Sequence, residues 1–185
     1  MTKQAFVEKY GKYAIAAGNK FGILPELILA VSGYETAWGS SYSATYDNNF
    51  FGLSASTFFT KDYWDGTSKR KTADDAGYYR VYTSVQNSFY DFAWLLSNAS
   101  RYSQVKKNFK NVEGFANAFV ASGYFTGNKT TYQNAIISNA KVIKPLLTGV
   151  NTAGFDWAGL IFIAIIFLII RNSNQNEKDQ KGNDN

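Results

Sequence analysis

The stretch LILAVSGYETAWG, residues 27–39, is an apolar run that carries a single carboxylate, Glu35, close to its end. Pro25 suits the first position of a helix, and Gly39 with the serine-rich residues after it is typical of a helix end. We therefore predict a buried helix from Pro25 to about Trp38, with Glu35 in its last turn.

A buried helix has little structural use for a carboxylate, which makes Glu35 a candidate functional residue. Desolvation against Val31 and Trp38 would favour the neutral, protonated form of its side chain. Glycoside cleavage requires such an acid, because the leaving sugar oxygen must gain a proton as its bond to C1 breaks. From spacing alone, an exposed or salt-bridged glutamate remains the alternative.

The first 147 residues are predicted to form one mainly α-helical domain with a minor β part, an α+β arrangement. Residues 48–55 predict an irregular turn, and residues 57–82, where β-branched and aromatic residues lie between glycines, predict a small β-hairpin lobe or long loops. The other predicted helices are 4–21, one from Ser84 with a stripe of Phe89, Phe92, Ala93 and Leu96, a short one before Phe109, 112–121 and 130–147.

Composition excludes several classes of chemistry. The 185 residues include no His and no Cys, so Ser/His/Asp and Cys/His machinery, disulfides and His- or Cys-ligated zinc sites are excluded. No carboxylate spacing matches a calcium loop, and we expect neither a metal nor a cofactor. The net charge of +5 favours an anionic partner such as bacterial cell wall, whereas the scattered basic residues argue against nucleic-acid binding.

Four short motifs follow one another along the chain. They are residues 28–39 with NFFGLSA (49–55), TKDYWDG (60–66), YRVYTSVQNSF (79–89), and ASGYFT (121–126) with Tyr132. In this order they resemble the bacterial endo-β-N-acetylglucosaminidases of the flagellar-hydrolase and autolysin type, glycoside hydrolase family 73. The similarity runs from about residue 5 to 147, and it implies a lysozyme-like helical fold with a small β-hairpin lobe.

The resemblance also implies a pair of catalytic residues. Glu35 matches the general acid, and Asp62 stands at a hairpin position where several family members have a Glu proposed as the second carboxylate. The shorter Asp departs from the commoner pattern and would have to approach the sugar more closely. A turn role for Asp62, a second carboxylate from Asp74 or Asp75, and assistance by the sugar's own acetamido group are the alternatives.

Aromatic residues supply the candidate substrate contacts. Tyr124 and Tyr132 match positions that line the cleft in the family, with helix packing as the alternative for each. Four further rings could stack on sugar faces, although core packing is the commoner use of such residues. They are Trp38, Phe51, Trp64 and Tyr82, and of these we expect Trp64 to be exposed.

The C-terminal part has a different composition. Residues 148–154 are predicted to be a linker, 155–170 a single transmembrane helix, and 171–185 a polar, disordered tail. The apolar run spans roughly 24 Å as a helix, short of a hydrocarbon core of roughly 30 Å. A buried core helix or an oligomer-packing helix is therefore the alternative, while Trp157 suits a membrane interface.

The predicted function is cleavage of β-1,4 bonds in peptidoglycan glycan strands by a membrane-anchored enzyme, with the bilayer contacted through residues 155–170. The first thirty residues show no secretory signal, which favours a phage virion membrane over a bacterial envelope as the location. A lytic transglycosylase or muramidase acting on the same glycan is the nearest alternative. A non-catalytic wall-binding or structural membrane protein is the alternative from another class.

Overall fold

The computed structural model describes residues 1–55, 62–70 and 77–152. This part of the chain is mainly helical with one small antiparallel sheet, so the predicted fold class is confirmed for it. The helices are α1 (Lys3–Phe21), α2 (Pro25–Glu35), α3 (Tyr42–Tyr46), α4 (Val85–Asn98), α5 (Ser103–Lys107), α6 (Val112–Ala121) and α7 (Lys129–Leu146). The strands are β1 (Ser68–Arg70) and β2 (Tyr78–Arg80), paired with Lys69 opposite Tyr79.

Helix α2 is the central element of the core. Its residues from Leu27 to Val31 are fully buried, and it packs against both α1 and α7. The helix ends at Glu35 rather than near Trp38, because Ala37 and Trp38 adopt left-handed backbone conformations with φ of 47° and 60°. This turn leaves the Glu35 side chain at the terminus of a rigid helix.

Helices α4 to α7 lie close to the ranges predicted from the sequence, whereas α3 was not predicted. Helix α3 begins within the serine-rich stretch, because the Ser41 side chain accepts a hydrogen bond from the backbone N–H of Ala44 at 3.2 Å. Helix α4 begins after Ser84, which caps it in the same way, and its predicted apolar stripe of Phe89, Phe92, Ala93 and Leu96 is fully buried.

The small sheet is attached to the helices through Arg80 at the end of β2. The Arg80 side chain is 0% exposed and forms a salt bridge with Asp91 of α4. Its guanidinium lies 4.5 Å from the centre of the Trp64 ring, and its Nε donates to the Ser54 carbonyl at 3.1 Å. Arg80 therefore ties the hairpin, helix α4 and the loop before the hairpin together.

The compact unit at the N-terminal side of the chain runs from Met1 to Asn151. After α7, a 3₁₀ turn (Leu147–Gly149) brings Val150 against α1, where a Cβ on Gly11 would come within 2.8 Å of its side chain. The predicted transmembrane helix 155–170 and tail 171–185 lie outside the described residues. Within 1–55, 62–70 and 77–152, no helix has the length and apolarity that crossing a membrane requires.

Candidate active site

Glu35 lies in an open, polar pocket between α2 and two loops. The half-buried carboxylate is the one acidic side chain of this pocket among the residues that the structure describes. One loop follows α3 and supplies the residues before the hairpin, and the other joins α6 to α7. The 3₁₀ turn between α4 and α5 adds Arg101 and Tyr102 to the wall. The lining residues are Glu35, Phe51, Gly52, Leu53, Ser54, Arg101, Tyr102, Gly123, Tyr124, Phe125 and Thr126.

Tyr132 of α7 orients the Glu35 carboxylate. Its hydroxyl donates a hydrogen bond to Glu35 Oε1, and its side chain is 0% exposed. The Tyr132 ring is held in place by Tyr34, with ring centres 4.6 Å apart, and by Phe125 at 4.2 Å. Burial raises the pKa of Tyr132, and the negative charge of Glu35 raises it further, so the phenol remains a neutral donor at physiological pH.

The second carboxylate oxygen lies on the pocket side. Gly52 has a left-handed backbone with φ of 61°, and a Cβ at that position would lie 3.9 Å from Glu35 Oε2. The Asn49 side chain holds this loop, since it donates to the Arg80 carbonyl at 3.0 Å and accepts from the Leu53 N–H at 3.1 Å. Glu35 is therefore fixed through Oε1, while Oε2 lies beside the glycine that lines the pocket.

Tyr124 forms a different contact from Tyr132. Its hydroxyl donates to the backbone carbonyl of Phe51, which joins the loop after α6 to the loop before the hairpin. Burial raises the pKa of Tyr124 well above its ordinary value, and the charge of Glu35 raises it further, so this phenol also remains neutral. Tyr124 thus lines the pocket and holds one of its walls, whereas Tyr132 is buried behind Glu35 and holds the acid. Contact of either ring with the substrate stays a prediction.

Three of the side chains predicted to stack on sugars are buried in the structure. The Trp64 side chain is 5% exposed, so the prediction that it is exposed is wrong. Its Nε1 donates to the nearby Thr67 carbonyl at 2.7 Å. Arg80 of β2 covers its ring, a contact between separate segments that no local pattern reveals. The Phe51 ring is also buried and stacks on Phe92 at 4.0 Å, and Tyr82 is buried with its hydroxyl donating to Asp91.

Trp38 is half-buried and lies against the helical core. Its ring meets Phe6 edge-on at 5.5 Å, packs over Gly33, and has the Lys3 ammonium 5.0 Å from its centre. Trp38 is not one of the residues that line the pocket around Glu35. A sugar-binding role for this ring stays a prediction.

Asp62 is an exposed residue in a turn before β1 and does not line the pocket around Glu35. Its role as second carboxylate stays a prediction, and the alternatives Asp74 and Asp75 lie outside the described residues. No group of three or more acidic side chains close enough to hold a metal ion occurs within 1–55, 62–70 and 77–152.

Several lining residues were not predicted as functional. Gly52, Leu53 and Ser54 lie in a motif that supported the family resemblance, as do Phe125 and Thr126, and these motifs were the available signal. Arg101 lies in no motif of the sequence, and only the approach of α6 and its following loop brings it to the pocket.

The chain is similar to known proteins over most of its compact unit. Residues 11–144 match the family model Glucosaminidase, described as mannosyl-glycoprotein endo-beta-N-acetylglucosaminidase. The chain is 27% identical over 154 residues to the peptidoglycan hydrolase FlgJ of Vibrio parahaemolyticus, covering 77% of this chain and 48% of that protein. It thus spans about half the length of this curated relative.

Two solved structures share the fold. The glycoside hydrolase domain of Salmonella typhimurium FlgJ has a TM-score of 0.60 at 24% identity, covering 79% of this chain and 91% of that chain. A peptidoglycan hydrolase from Sphingomonas sp. A1 has a TM-score of 0.61 at 23% identity, covering 82% and 97%. With the family model matched over most of the compact unit and a fixed carboxylate in its pocket, the chain belongs to the glucosaminidase family of glycoside hydrolases.

Proposed function

We propose that this protein is an endo-β-N-acetylglucosaminidase that hydrolyses β-1,4 bonds in peptidoglycan strands. The observation that carries the proposal is Glu35, a carboxylate fixed by a buried tyrosine in an open pocket of a glucosaminidase domain. The names of the relatives support wall glycan as the substrate.

In this proposal Glu35 protonates the leaving oxygen of the sugar. Because the Tyr132 hydroxyl donates to Oε1, the acidic proton belongs on Oε2, the oxygen beside Gly52 on the pocket side. The proton passes from Oε2 to the glycosidic oxygen as the C1–O bond breaks, and Tyr132 then stabilises the carboxylate that forms. Asp62 or the acetamido group of the sugar supports the developing positive charge at C1, and water completes the hydrolysis.

End-group analysis of digested peptidoglycan tests this function. Purified peptidoglycan is digested with the full chain, the products are reduced with borohydride, and the reduced sugars are identified by mass spectrometry. Reduced N-acetylglucosamine ends are expected. Reduced muramic acid ends would indicate a muramidase, anhydromuramic ends a lytic transglycosylase, and binding without new ends a non-catalytic wall-binding protein.

The Tyr132→Phe variant tests the contact with Glu35. It keeps the ring that packs on Tyr34 and Phe125 but removes the donor to Oε1, so we expect kcat to fall by about tenfold or more with little loss of stability. Rates are measured on peptidoglycan beside thermal unfolding. Tyr10→Phe, which removes a buried-ring hydroxyl outside this pocket, is the control. Equal rates for Tyr132→Phe and the unmodified chain would contradict the proposed orientation of the acid.

The Asp62→Asn variant tests the second carboxylate. If Asp62 acts at C1, its neutral replacement is expected to lower kcat by about 100-fold or more, a loss that an exposed turn residue would not cause. Asp65→Asn, in the same turn region, controls for local structure. A loss below about threefold for Asp62→Asn would assign the stabilisation of C1 to the acetamido group instead.

We also propose that residues 155–170 attach the enzyme to a lipid bilayer, in a membrane-bearing phage particle or otherwise in a bacterial envelope. The support is the apolar run itself, bounded by Trp157 and Arg171. Flotation of the full chain and of a chain ending at residue 151 with liposomes tests attachment. Only the full chain is expected to float, and detection of the protein in purified particles tests the location.

A further inference from the structure

Arg101 places a positive charge on the wall of the pocket that contains Glu35. The residue lies in the 3₁₀ turn (Ser100–Tyr102) between α4 and α5, and its side chain is exposed. Within residues 1–55, 62–70 and 77–152, Arg101 forms no ion pair, not even with Glu35 in the same pocket. An anionic group of a bound ligand can therefore pair with this guanidinium.

The Arg101 guanidinium is held in place before any ligand arrives. Its Nη2 donates to the Ser122 carbonyl at 2.8 Å, and its central carbon lies 5.2 Å from the centre of the Tyr102 ring, which is itself buried. Gly123 leaves room for it, since a Cβ there would come within 3.3 Å of Nη2. Holding the planar group in advance reduces the entropy that ligand binding would cost.

The proposed substrate carries few kinds of anionic group. The sugar rings of a wall glycan strand are uncharged, so a cation in the cleft gains nothing from the rings alone. Negative charge lies on the muramic acid side chain, either as the lactyl carboxylate or, where that group is amide-linked, as carboxylates of the stem peptide. Both sources present a planar carboxylate, which matches the two parallel N–H donors of an arginine.

We propose that Arg101 binds a carboxylate carried by the muramic acid unit of the substrate and so selects muramic-acid-containing strands over uncharged N-acetylglucosamine polymers. The inference rests on the proposed function, because it takes wall glycan as the ligand. It adds a specificity residue, and it explains why a cationic side chain lines the cleft beside the carboxyl group of Glu35.

Binding measurements test the inference without depending on cleavage. Glu35→Gln and the double variant Glu35→Gln with Arg101→Gln are titrated with three glycan fragments by calorimetry. The first fragment keeps its stem peptides, the second is stripped by an amidase and carries only lactyl carboxylates, and the third is stripped and then amidated, so that it is neutral. Lys107→Gln in the Glu35→Gln background removes an equal charge from an exposed residue outside the pocket and is the control.

We expect Arg101→Gln to weaken binding of one or both charged fragments by about tenfold and to affect the neutral fragment far less. The fragment that shows the loss identifies the source, stem peptide or lactyl group. Arg101→Lys should restore only part of the affinity, because an ammonium cannot form the paired contact. Equal effects on all three fragments would show a structural role through Ser122 and overturn the inference, as would no effect on any. The proposed function is judged separately, from the sugar ends that the unmodified chain produces.

Discussion

Replacement of Glu35 by Gln is expected to lower the rate of peptidoglycan cleavage by about 10²- to 10⁴-fold, the usual contribution of a general acid. Gln has nearly the same volume as Glu and keeps an oxygen that accepts the hydrogen bond from the Tyr132 hydroxyl, so the fold should be retained. It has no proton that can pass to the leaving sugar oxygen. The measurement is the release of reducing ends from purified peptidoglycan, with thermal unfolding as the check on folding.

Glu113→Gln is the matched control for this prediction. Glu113 lies on α6, pairs with Lys141 at 3.3 Å, and has a side chain that is 59% exposed. The substitution makes the same exchange of a carboxyl group for an amide, but it lies outside the pocket. Activity close to that of the unmodified chain is expected. If Glu35→Gln kept more than about a tenth of the activity, the proton would have to come from another group, and the assignment of the acid would be wrong.

Helix α2, which carries Glu35, shows what local sequence patterns can predict and what they cannot. The apolar run predicted α2, and Pro25 and Gly39 as its bounds placed the carboxylate in the last turn. The helix end was less well predicted, since Ala37 and Trp38 enter a left-handed turn that residues of their types rarely adopt. That turn depends on tertiary contacts, among them the packing of the Trp38 ring on Phe6.

The contacts of the aromatic residues could not be predicted from the sequence in the same way. The family resemblance implied that Tyr124 and Tyr132 line the cleft. Only the structure shows that the Tyr124 hydroxyl donates to a backbone carbonyl and the Tyr132 hydroxyl to the Glu35 carboxylate. Trp64 was expected to be exposed, and it is buried. Its burial follows from Arg80, which is distant in sequence and covers the ring from β2. Contacts of this kind form when separate secondary-structure elements pack together, and they produce no periodic pattern in the sequence.

The buried ion pair between Arg80 and Asp91 links the hairpin to the helices. Both side chains are 0% exposed, and Asp91 Oδ2 accepts from the Arg80 guanidinium and from the Tyr82 hydroxyl at 2.7 Å. Burial raises the pKa of Asp91, and the Arg80 charge and the Tyr82 hydroxyl oppose that effect. Each group therefore offsets part of the cost of burying the charge of the other.

Asp91→Asn is expected to lower the free energy of unfolding by about 3–5 kcal/mol, because it removes the negative charge that pairs with the buried Arg80 guanidinium. A single domain is stable by only about 5–15 kcal/mol, so this loss should lower the denaturation midpoint substantially. Urea unfolding followed by circular dichroism measures it. Since Arg80 Nε also donates to the carbonyl of Ser54, a lining residue of the pocket, cleavage activity should fall with stability.

Lys141→Gln is the control for Asp91→Asn, because it breaks an ion pair that is exposed to solvent instead of buried. Lys141 and Glu113 are 65% and 59% exposed, and an exposed pair is worth less than about 1 kcal/mol. The two variants thus compare one lost charge in the interior with one at the surface. A similar small loss for both would mean that Arg80 regains a partner or water when Asp91 is neutral. A large loss for Asp91→Asn alone would establish that the stability of the domain depends on this buried pair and not on the exposed one.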